Sequence, residues 1–215
     1  MQIRRWLWAS VAAGLIASVA MADDHGEKKD KDAKDAKEAK PAAAAVGKPA
    51  PDFELKDLDG KVHKLSDYKD KVVVLEWFNL QCPFVVAAAK QMSETSAKYA
   101  KEGVVWLAID STHPEHGDYR DATVIKEHFA KHGIAYPLLR DGDGKIGRAY
   151  GARTTPHMYI INKGTLVYIG GHDDGTGVQT GDRNYVAESL DAVLAGKEVP
   201  SATTRNRGCS IKYRP

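Results

Sequence analysis

Residues 72–83 read VVVLEWFNLQCP, an apolar run that ends at Cys82 and Pro83. A strand that is apolar on both faces is typical of the middle of a parallel sheet. Residues 85–100 follow with a composition that favours a helix, and proline suits the first helical position because no intrahelical bond needs its missing N–H. The pattern predicts a buried strand that leads through a short turn into a helix, with Cys82 at the helix start.

Cys82 is the first candidate for a reactive residue. Backbone N–H groups at the start of a helix favour negative charge, so a cysteine in that position ionises readily, and the thiolate is the nucleophilic form. The alternative is an ordinary buried cysteine, which would be inert.

The first 22 residues are organised like a secretory signal peptide. Arg4 and Arg5 form a basic start, residues 7–20 are apolar, and the small residues before Asp23 match a cleavage site. The apolar part is too short for a comfortable membrane span, and an uncleaved anchor is the alternative. We expect a periplasmic protein without stable membrane insertion after residues 1–22 are removed.

Charge and cysteine content limit the classes of partner and fold. Loss of the signal peptide removes two arginines and leaves equal numbers of basic and acidic residues. No basic excess remains to neutralise phosphates, so no nucleic-acid partner is expected. The periplasm permits disulfides, but the chain has only two cysteines, Cys82 and Cys209. Two cysteines allow at most one disulfide, which is too few to stabilise a chain of this length, so the fold must depend on a hydrophobic core.

The rest of the chain divides into three segments. Residues 23–45 are a charged low-complexity linker without the apolar residues needed to fold alone. Residues 46–196 form the predicted domain, and residues 197–215 are a C-terminal tail that carries Cys209. Periodicity and turn signals in the domain predict strands at 53–55, 62–65, 72–78, 104–110, 135–139, 158–161 and 165–169, and helices at 85–100, 119–132, 145–150 and 185–194. This order predicts an α/β domain with a mixed central sheet flanked by helices and an N-terminal β-hairpin.

The order of elements and three local patterns resemble the thioredoxin-like fold of the redoxin (AhpC/TSA-like) superfamily. The patterns are the strand before Cys82 and Pro83, the segment TTP at residues 154–156, and the segment VGKPAPDF at residues 46–53. The chain is most similar to an exported peroxiredoxin-like group with a Cys-Pro-Phe active site and a C-terminal Gly-Cys-Ser-Ile-Lys tail, which stands here at residues 208–212.

Three positions depart from better-known members of that superfamily. The second cysteine of thioredoxins would stand at Val85. The hydroxyl residue and the proline that orient peroxide in peroxiredoxins would stand at Asn79 and Leu75. The resemblance therefore implies a redox-active Cys82 without a Cys-x-x-Cys dithiol and without the standard peroxidase groups.

Glu76 is a carboxylate inside the apolar strand. Alternation places it on one face with Val74 and Phe78, where a carboxylate is costly unless it is paired or protonated. The resemblance implies a buried acid that moves protons to and from the cysteines. The alternative is a salt bridge to a lysine over the sheet edge.

The Thr155-Pro156 bond is predicted to be cis, because X–Pro bonds tolerate that form and the resemblance implies a cis-proline loop. In this fold the loop faces the reactive sulfur, so Pro83, Thr155, Pro156 and His157 are the predicted substrate-binding residues. His157 would stabilise the Cys82 thiolate or bind a metal, unless alternation turns it towards the surface.

Cys209 is the candidate partner of Cys82. As a resolving cysteine it would attack an oxidised Cys82 or a mixed disulfide on it, and close a bridge. A buried tail anchor and a bridge between two chains are the alternatives. Residues 113–116, HPEH, are predicted to be a solvated loop rather than a metal site, and residues 173–177, DDGTG, a turn. No cofactor and no metal are expected.

The leading hypothesis is a periplasmic thiol-dependent oxidoreductase in which Cys82 is the nucleophile, Glu76 assists proton transfer and Cys209 resolves. It would act in thiol–disulfide exchange or antioxidant chemistry, on a thiol or disulfide protein or a small peroxide, with an external thiol as reductant. A copper metallochaperone is an alternative, because Cys82, Cys209, His157 and Met158 suit Cu(I). A non-catalytic binding module of the same fold is another.

Overall fold

The computed structural model describes residues 43–215. The predicted signal peptide and the linker up to residue 42 lie outside this part of the chain. Within residues 43–215, none of the helices combines the length and the apolar composition that a bilayer crossing needs. The strands and helices, numbered along the chain, are β1 Glu54–Asp57, β2 Val62–Lys64, β3 Val72–Trp77, α1 Pro83–Ala100, β4 Val105–Asp110, α2 Ala122–His132, β5 Leu138–Arg140, α3 Lys145–Tyr150, β6 Thr154–Thr155, β7 His157–Asn162, β8 Thr165–Gly170, α4 Tyr185–Leu194 and β9 Cys209–Ser210.

Seven strands form one mixed sheet in the order β2-β1-β5-β4-β3-β7-β8. The three central strands β3, β4 and β5 are parallel, and the strands on either side pair antiparallel. This arrangement confirms the predicted α/β class with a mixed central sheet. It is the thioredoxin-like arrangement, in which the carboxyl end of β3 leads directly into the helix that begins after Cys82.

Strand β3 separates two hydrophobic clusters. Val74 and Phe78 face a cluster built from α1, α2 and α4, which also contains Cys82. Leu75 and Trp77 face the other cluster, which includes residues of α3 and of β7 and β8. Alternation along β3 thus places Glu76 on the same side of the sheet as Cys82.

Two elements begin three residues later than predicted. Helix α2 begins at Ala122 rather than at residue 119, with Asp121 in an extended N-cap conformation and the Tyr119 ring under the Arg140 guanidinium at 4.5 Å. Strand β5 begins at Leu138, because the preceding Pro137 has no N–H to donate to a strand partner.

The C-terminal tail runs back along the molecule to the end of β3. The Thr204 N–H donates to the Ile169 carbonyl, and further on β9 pairs antiparallel with β6 in a separate two-stranded sheet. Because β6 lies directly before Pro156, this pairing brings Cys209 to the start of α1.

Candidate redox site

Cys82 stands at the N-cap of α1, and Pro83 is the first helical residue, as predicted. The side chain is 1% exposed. Its Sγ donates a hydrogen bond of 2.8 Å to the carbonyl oxygen of Thr155.

Cys209 and Cys82 both lie against Thr155. In the register of β6 with β9, Cys209 lies opposite Thr155, whose carbonyl accepts the Cys82 hydrogen bond. Both cysteines are free thiols. Burial, followed by a hydrogen bond and charge interaction with Cys82, raises the pKa of the Cys209 thiol to about 11. The site is therefore a reduced dithiol assembled from two distant parts of the chain.

The loop before β7 forms the wall of the site. The Thr155-Pro156 peptide bond is cis, as predicted, and both residues are buried. The Thr155 Oγ1 atom is buried and has no hydrogen-bond partner among the described residues. Pro83, across the site on α1, is exposed. The Thr155 backbone, where a bound partner is expected, is occupied by the chain's own tail.

Gly208 allows the tail to approach this closely. A Cβ atom at Gly208 would overlap the carbonyl oxygen of Thr155, and it would lie 3.2 Å from the Pro156 nitrogen. These are backbone atoms that cannot swing aside, so a side chain at residue 208 is incompatible with the docked tail.

An ion pair fastens the tail on the upstream side of Cys209. The guanidinium of Arg207 pairs with the carboxylate of Asp173, whose side chain is fully buried. His172 Nε2 contacts the other carboxylate oxygen at 3.0 Å and Gln91 Oε1 at 2.7 Å. Burial alone would raise the pKa of Asp173, but the bonds from His172 and Arg207 lower it below its usual range.

Tyr213 fastens the tail on the downstream side. Its hydroxyl donates to the Ala152 carbonyl at 2.9 Å, and the Arg148 guanidinium lies 4.6 Å from the ring centroid. The ring occupies space that Cβ atoms at Gly144 and Gly147 would fill. Sequence reasoning missed both anchors, because neither the loop of Asp173 nor the tail has a periodic pattern.

Glu76 is buried on the same side of the sheet as Cys82. Its Oε2 accepts hydrogen bonds from Trp106 Nε1 at 2.9 Å and from the Tyr136 hydroxyl at 2.8 Å. Burial raises the pKa of Glu76, against the effect of these two bonds and of the nearby His172. Among the described residues Glu76 forms no salt bridge, so the lysine pairing considered as an alternative is wrong. The arrangement is that of an acid which can hold a proton in the core.

His157 differs from both of its predicted placements. It is buried rather than at the surface, and its Nδ1 lies 3.0 Å from the Tyr159 hydroxyl. Tyr159 belongs to the cluster on the far side of the sheet from Cys82. Burial, followed by the charge of Arg153, lowers the pKa of His157 to about 4. The ring is thus a neutral member of a tyrosine network, and no hydrogen bond joins it to Cys82 in the described structure.

The remaining predicted positions have no metal-binding geometry in residues 43–215, where no three His, Cys, Asp or Glu side chains converge. His116 is exposed in its loop and His113 is half-buried. The segment that begins at Asp173 is a loop, but Asp173 itself is buried and holds the tail. Of the four proposed copper ligands, Cys82 and Cys209 meet at Thr155, Met158 is fully buried in the core cluster that contains Cys82, and His157 faces the opposite cluster.

The domain has a thioredoxin-like fold with Cys82 next to the cis-proline loop, and the comparison with protein families agrees with a redoxin. Residues 46–169 match the model of the AhpC/TSA family, and the chain belongs to this family. The broader part of the predicted resemblance is thereby confirmed.

Individual relatives point the same way. The chain is 34% identical over 122 residues to "Thiol-disulfide oxidoreductase ResA" of Geobacillus thermodenitrificans, a match that covers 56% of this chain and 66% of the relative. The chain thus spans slightly less than two thirds of that relative's length.

Solved structures share the fold. An uncharacterized conserved protein from Geobacillus kaustophilus is 30% identical with a TM-score of 0.72, and the match covers 81% of this chain and 95% of that one. A putative thiol:disulfide interchange protein DsbE from Chlorobium tepidum is 24% identical with a TM-score of 0.54, covering 71% and 98%. The second likeness concerns the fold alone.

Proposed function

We propose that this protein is a thiol–disulfide oxidoreductase whose redox centre is the pair Cys82 and Cys209. The observation that carries the proposal is the convergence of both free thiols on Thr155, one through a hydrogen bond and the other through strand pairing. The similarity to a relative named as a thiol–disulfide oxidoreductase supports the same chemistry. The signal-peptide pattern of residues 1–22 supports a periplasmic location, where disulfides persist.

The chemical cycle requires only an outside thiol and an outside disulfide. When a partner disulfide is reduced, two electrons leave the protein, the Cys82–Cys209 bond forms, and two protons are released from the thiols. When an outside thiol reduces the protein, the bond breaks and both protons return. Glu76 is the proposed proton acceptor and donor in these steps, because it is buried on the cysteine side of the sheet and its pKa is raised.

The loop residues have a positioning role in this proposal. The backbone of Thr155 pairs with the extended strand β9 and so places it next to Cys82. Pro156 fixes the shape of the loop that follows Thr155. Pro83 is exposed on the other side of the site and offers a surface to an approaching partner. His157 accepts a hydrogen bond of 3.4 Å from the Arg153 N–H, which ties the segment before Pro156 to the start of β7.

Disulfide chemistry accounts for the site better than peroxide chemistry. Asn79 replaces the hydroxyl residue that orients peroxide in the resembling peroxiredoxins, and its amide is committed to Thr112 Oγ1 at 2.6 Å. Leu75 replaces their proline and is packed in the opposite cluster. A second thiol next to Cys82 serves disulfide exchange directly.

The test is a redox equilibrium. The mature protein is equilibrated with glutathione buffers of graded ratio, quenched with acid, and analysed by peptide mass mapping for a Cys82–Cys209 bridge. A bridge that forms and breaks within the range of the buffers is expected, and Cys82→Ser and Cys209→Ser should both abolish it and the turnover of a model disulfide. A wild-type protein that keeps two free thiols under oxidising buffers would refute the proposal.

A further inference from the structure

Cys82 and Cys209 differ in their access to solvent. Cys82 is 1% exposed and lies against the Thr155 carbonyl, on which the tail strand is docked. Cys209 is only partly buried, on a strand of two residues. Cys209 therefore keeps a solvent-accessible surface while the tail stays docked, whereas Cys82 has almost none.

The tail is held on both sides of Cys209, so movement is opposed. Arg207, two residues upstream, is paired with the buried Asp173, and Tyr213, four residues downstream, is seated over Gly144 and Gly147. The Lys212 carbonyl also accepts a hydrogen bond of 2.8 Å from a loop N–H of the domain. Lifting the tail breaks these contacts, whereas attack on the partly exposed Cys209 requires none of them to break.

We infer that Cys209 is the cysteine that exchanges with outside thiols and that Cys82 is its internal partner, the reverse of the order predicted from the sequence. The inference rests on the proposed Cys82–Cys209 redox pair and assigns the roles within it. The substrate that fits is a thiol small or extended enough to reach an exposed edge strand without displacing it.

The steps balance as ordinary exchange reactions. An outside thiolate attacks the Cys209 sulfur of the bridged protein, a bond forms between them, and the Cys82–Cys209 bond breaks with its electron pair on Cys82. Cys82 takes up a proton. A second outside thiolate then attacks the outside sulfur of the mixed disulfide, which releases a disulfide of the two outside thiols and the Cys209 thiolate, and this thiolate is protonated in turn.

The test locates the first mixed disulfide. Fully bridged mature protein is mixed with less than one equivalent of reduced glutathione, quenched with acid at early times, and mapped by peptide mass. Acid stops further exchange because it removes the thiolates. We expect at least about tenfold more glutathione on Cys209 than on Cys82, since the docked tail leaves Cys209 the more accessible of the two.

The same reaction in concentrated urea is the matched control. In the unfolded chain both sulfurs are open to solvent, so the preference for Cys209 should fall towards an even distribution. Glutathione found mainly on Cys82 of the folded protein overturns the assignment and leaves the redox pair intact. Failure to form the bridge at all overturns the redox pair, so the two failures are distinguishable.

Discussion

The ion pair between Arg207 and Asp173 should control how often Cys82 becomes accessible. We consider Arg207→Gln in a Cys209→Ser background, where Cys82 is the only thiol and the hydroxyl of serine keeps nearly the same size. If the docked tail covers Cys82, then Cys82 reacts with an alkylating reagent only in the fraction of molecules whose tail is open. The rate of alkylation then measures the equilibrium constant for tail opening.

The magnitude follows from the partners that Asp173 would keep. Removal of one partner from a buried ion pair costs about 3–5 kcal/mol. Asp173 retains His172 at 3.0 Å and the backbone N–H groups of Gly175 and Gly181, each at 3.0 Å, and the Arg207 side chain is 21% exposed. These features reduce the loss to about 2 kcal/mol, which is about a 30-fold increase in tail opening.

The assay is the time course of N-ethylmaleimide addition to the folded protein, followed by mass, at reagent concentrations where the rate is proportional to the reagent. Arg205→Gln is the matched control, because Arg205 lies on the same tail, is exposed and forms no ion pair among the described residues. We expect Arg205→Gln to leave the rate unchanged. An increase of less than about threefold for Arg207→Gln, against about 30-fold expected, would show that the ion pair does not hold the cover over Cys82.

Three further substitutions test the site from other directions. Gly208→Ala places a Cβ against the Thr155 carbonyl, so it should undock the tail and speed the alkylation of Cys82 in the same assay. Gly60→Ala is the control, at a glycine that also has positive φ but has open space around it, and it should leave the rate unchanged. Equal alkylation rates for the two variants would contradict the close approach of Gly208 to Thr155. Burial raises the pKa of Glu76, so the folded state holds that proton more tightly than the unfolded chain and its stability falls as pH rises through the raised pKa. Glu76→Gln removes this loss of stability with pH. The unfolding free energy of Glu76→Gln minus that of wild type, from urea titrations, should therefore increase between pH 4 and pH 8. A difference that stays constant over this range would contradict the raised pKa. The pKa of His157 is about 4 against 6.5 when free, so the free energy of unfolding should rise between these pH values by up to about 3 kcal/mol, and an unchanged slope in His157→Gln would refute that.

Local sequence signals predicted the parts of the site that depend on neighbouring residues. The strand and the helix start within residues 72–83 are predictable from those residues alone. A run that is apolar on both faces favours a central strand, and Pro83 after Cys82 favours the start of a helix. The cis bond at Pro156 came from the resemblance of residues 154–156 to a known loop. In each case the relevant residues are adjacent in the chain.

The tail and its anchors depend on contacts between distant segments, which no local pattern encodes. The bond of Arg207 to Asp173 joins residues 34 positions apart, and that of Tyr213 to Ala152 joins residues 61 apart. By composition the loop of Asp173 resembles a solvated acidic turn. Nothing in that composition indicates that the Asp173 carboxylate is buried in an ion pair with a distant arginine. The orientation of His157 was unpredictable for a related reason, since a one-residue choice of register decides which face of the sheet it joins.

A redox pair drawn from two ends of a domain couples oxidation to tail docking. Where both cysteines lie in one helical turn, as in Cys-x-x-Cys proteins, the bridge can close without any rearrangement of the rest of the chain. Here the bridge can close only when Gly208 and Arg207 have brought the tail onto Thr155. Because coupling between two equilibria is reciprocal, every contact that favours docking also favours the bridge over the open dithiol, and reduction of the bridge loosens the tail. A partner that seized the Thr155 backbone would therefore compete with β9 and draw the protein towards its reduced form, without any contact with a sulfur atom.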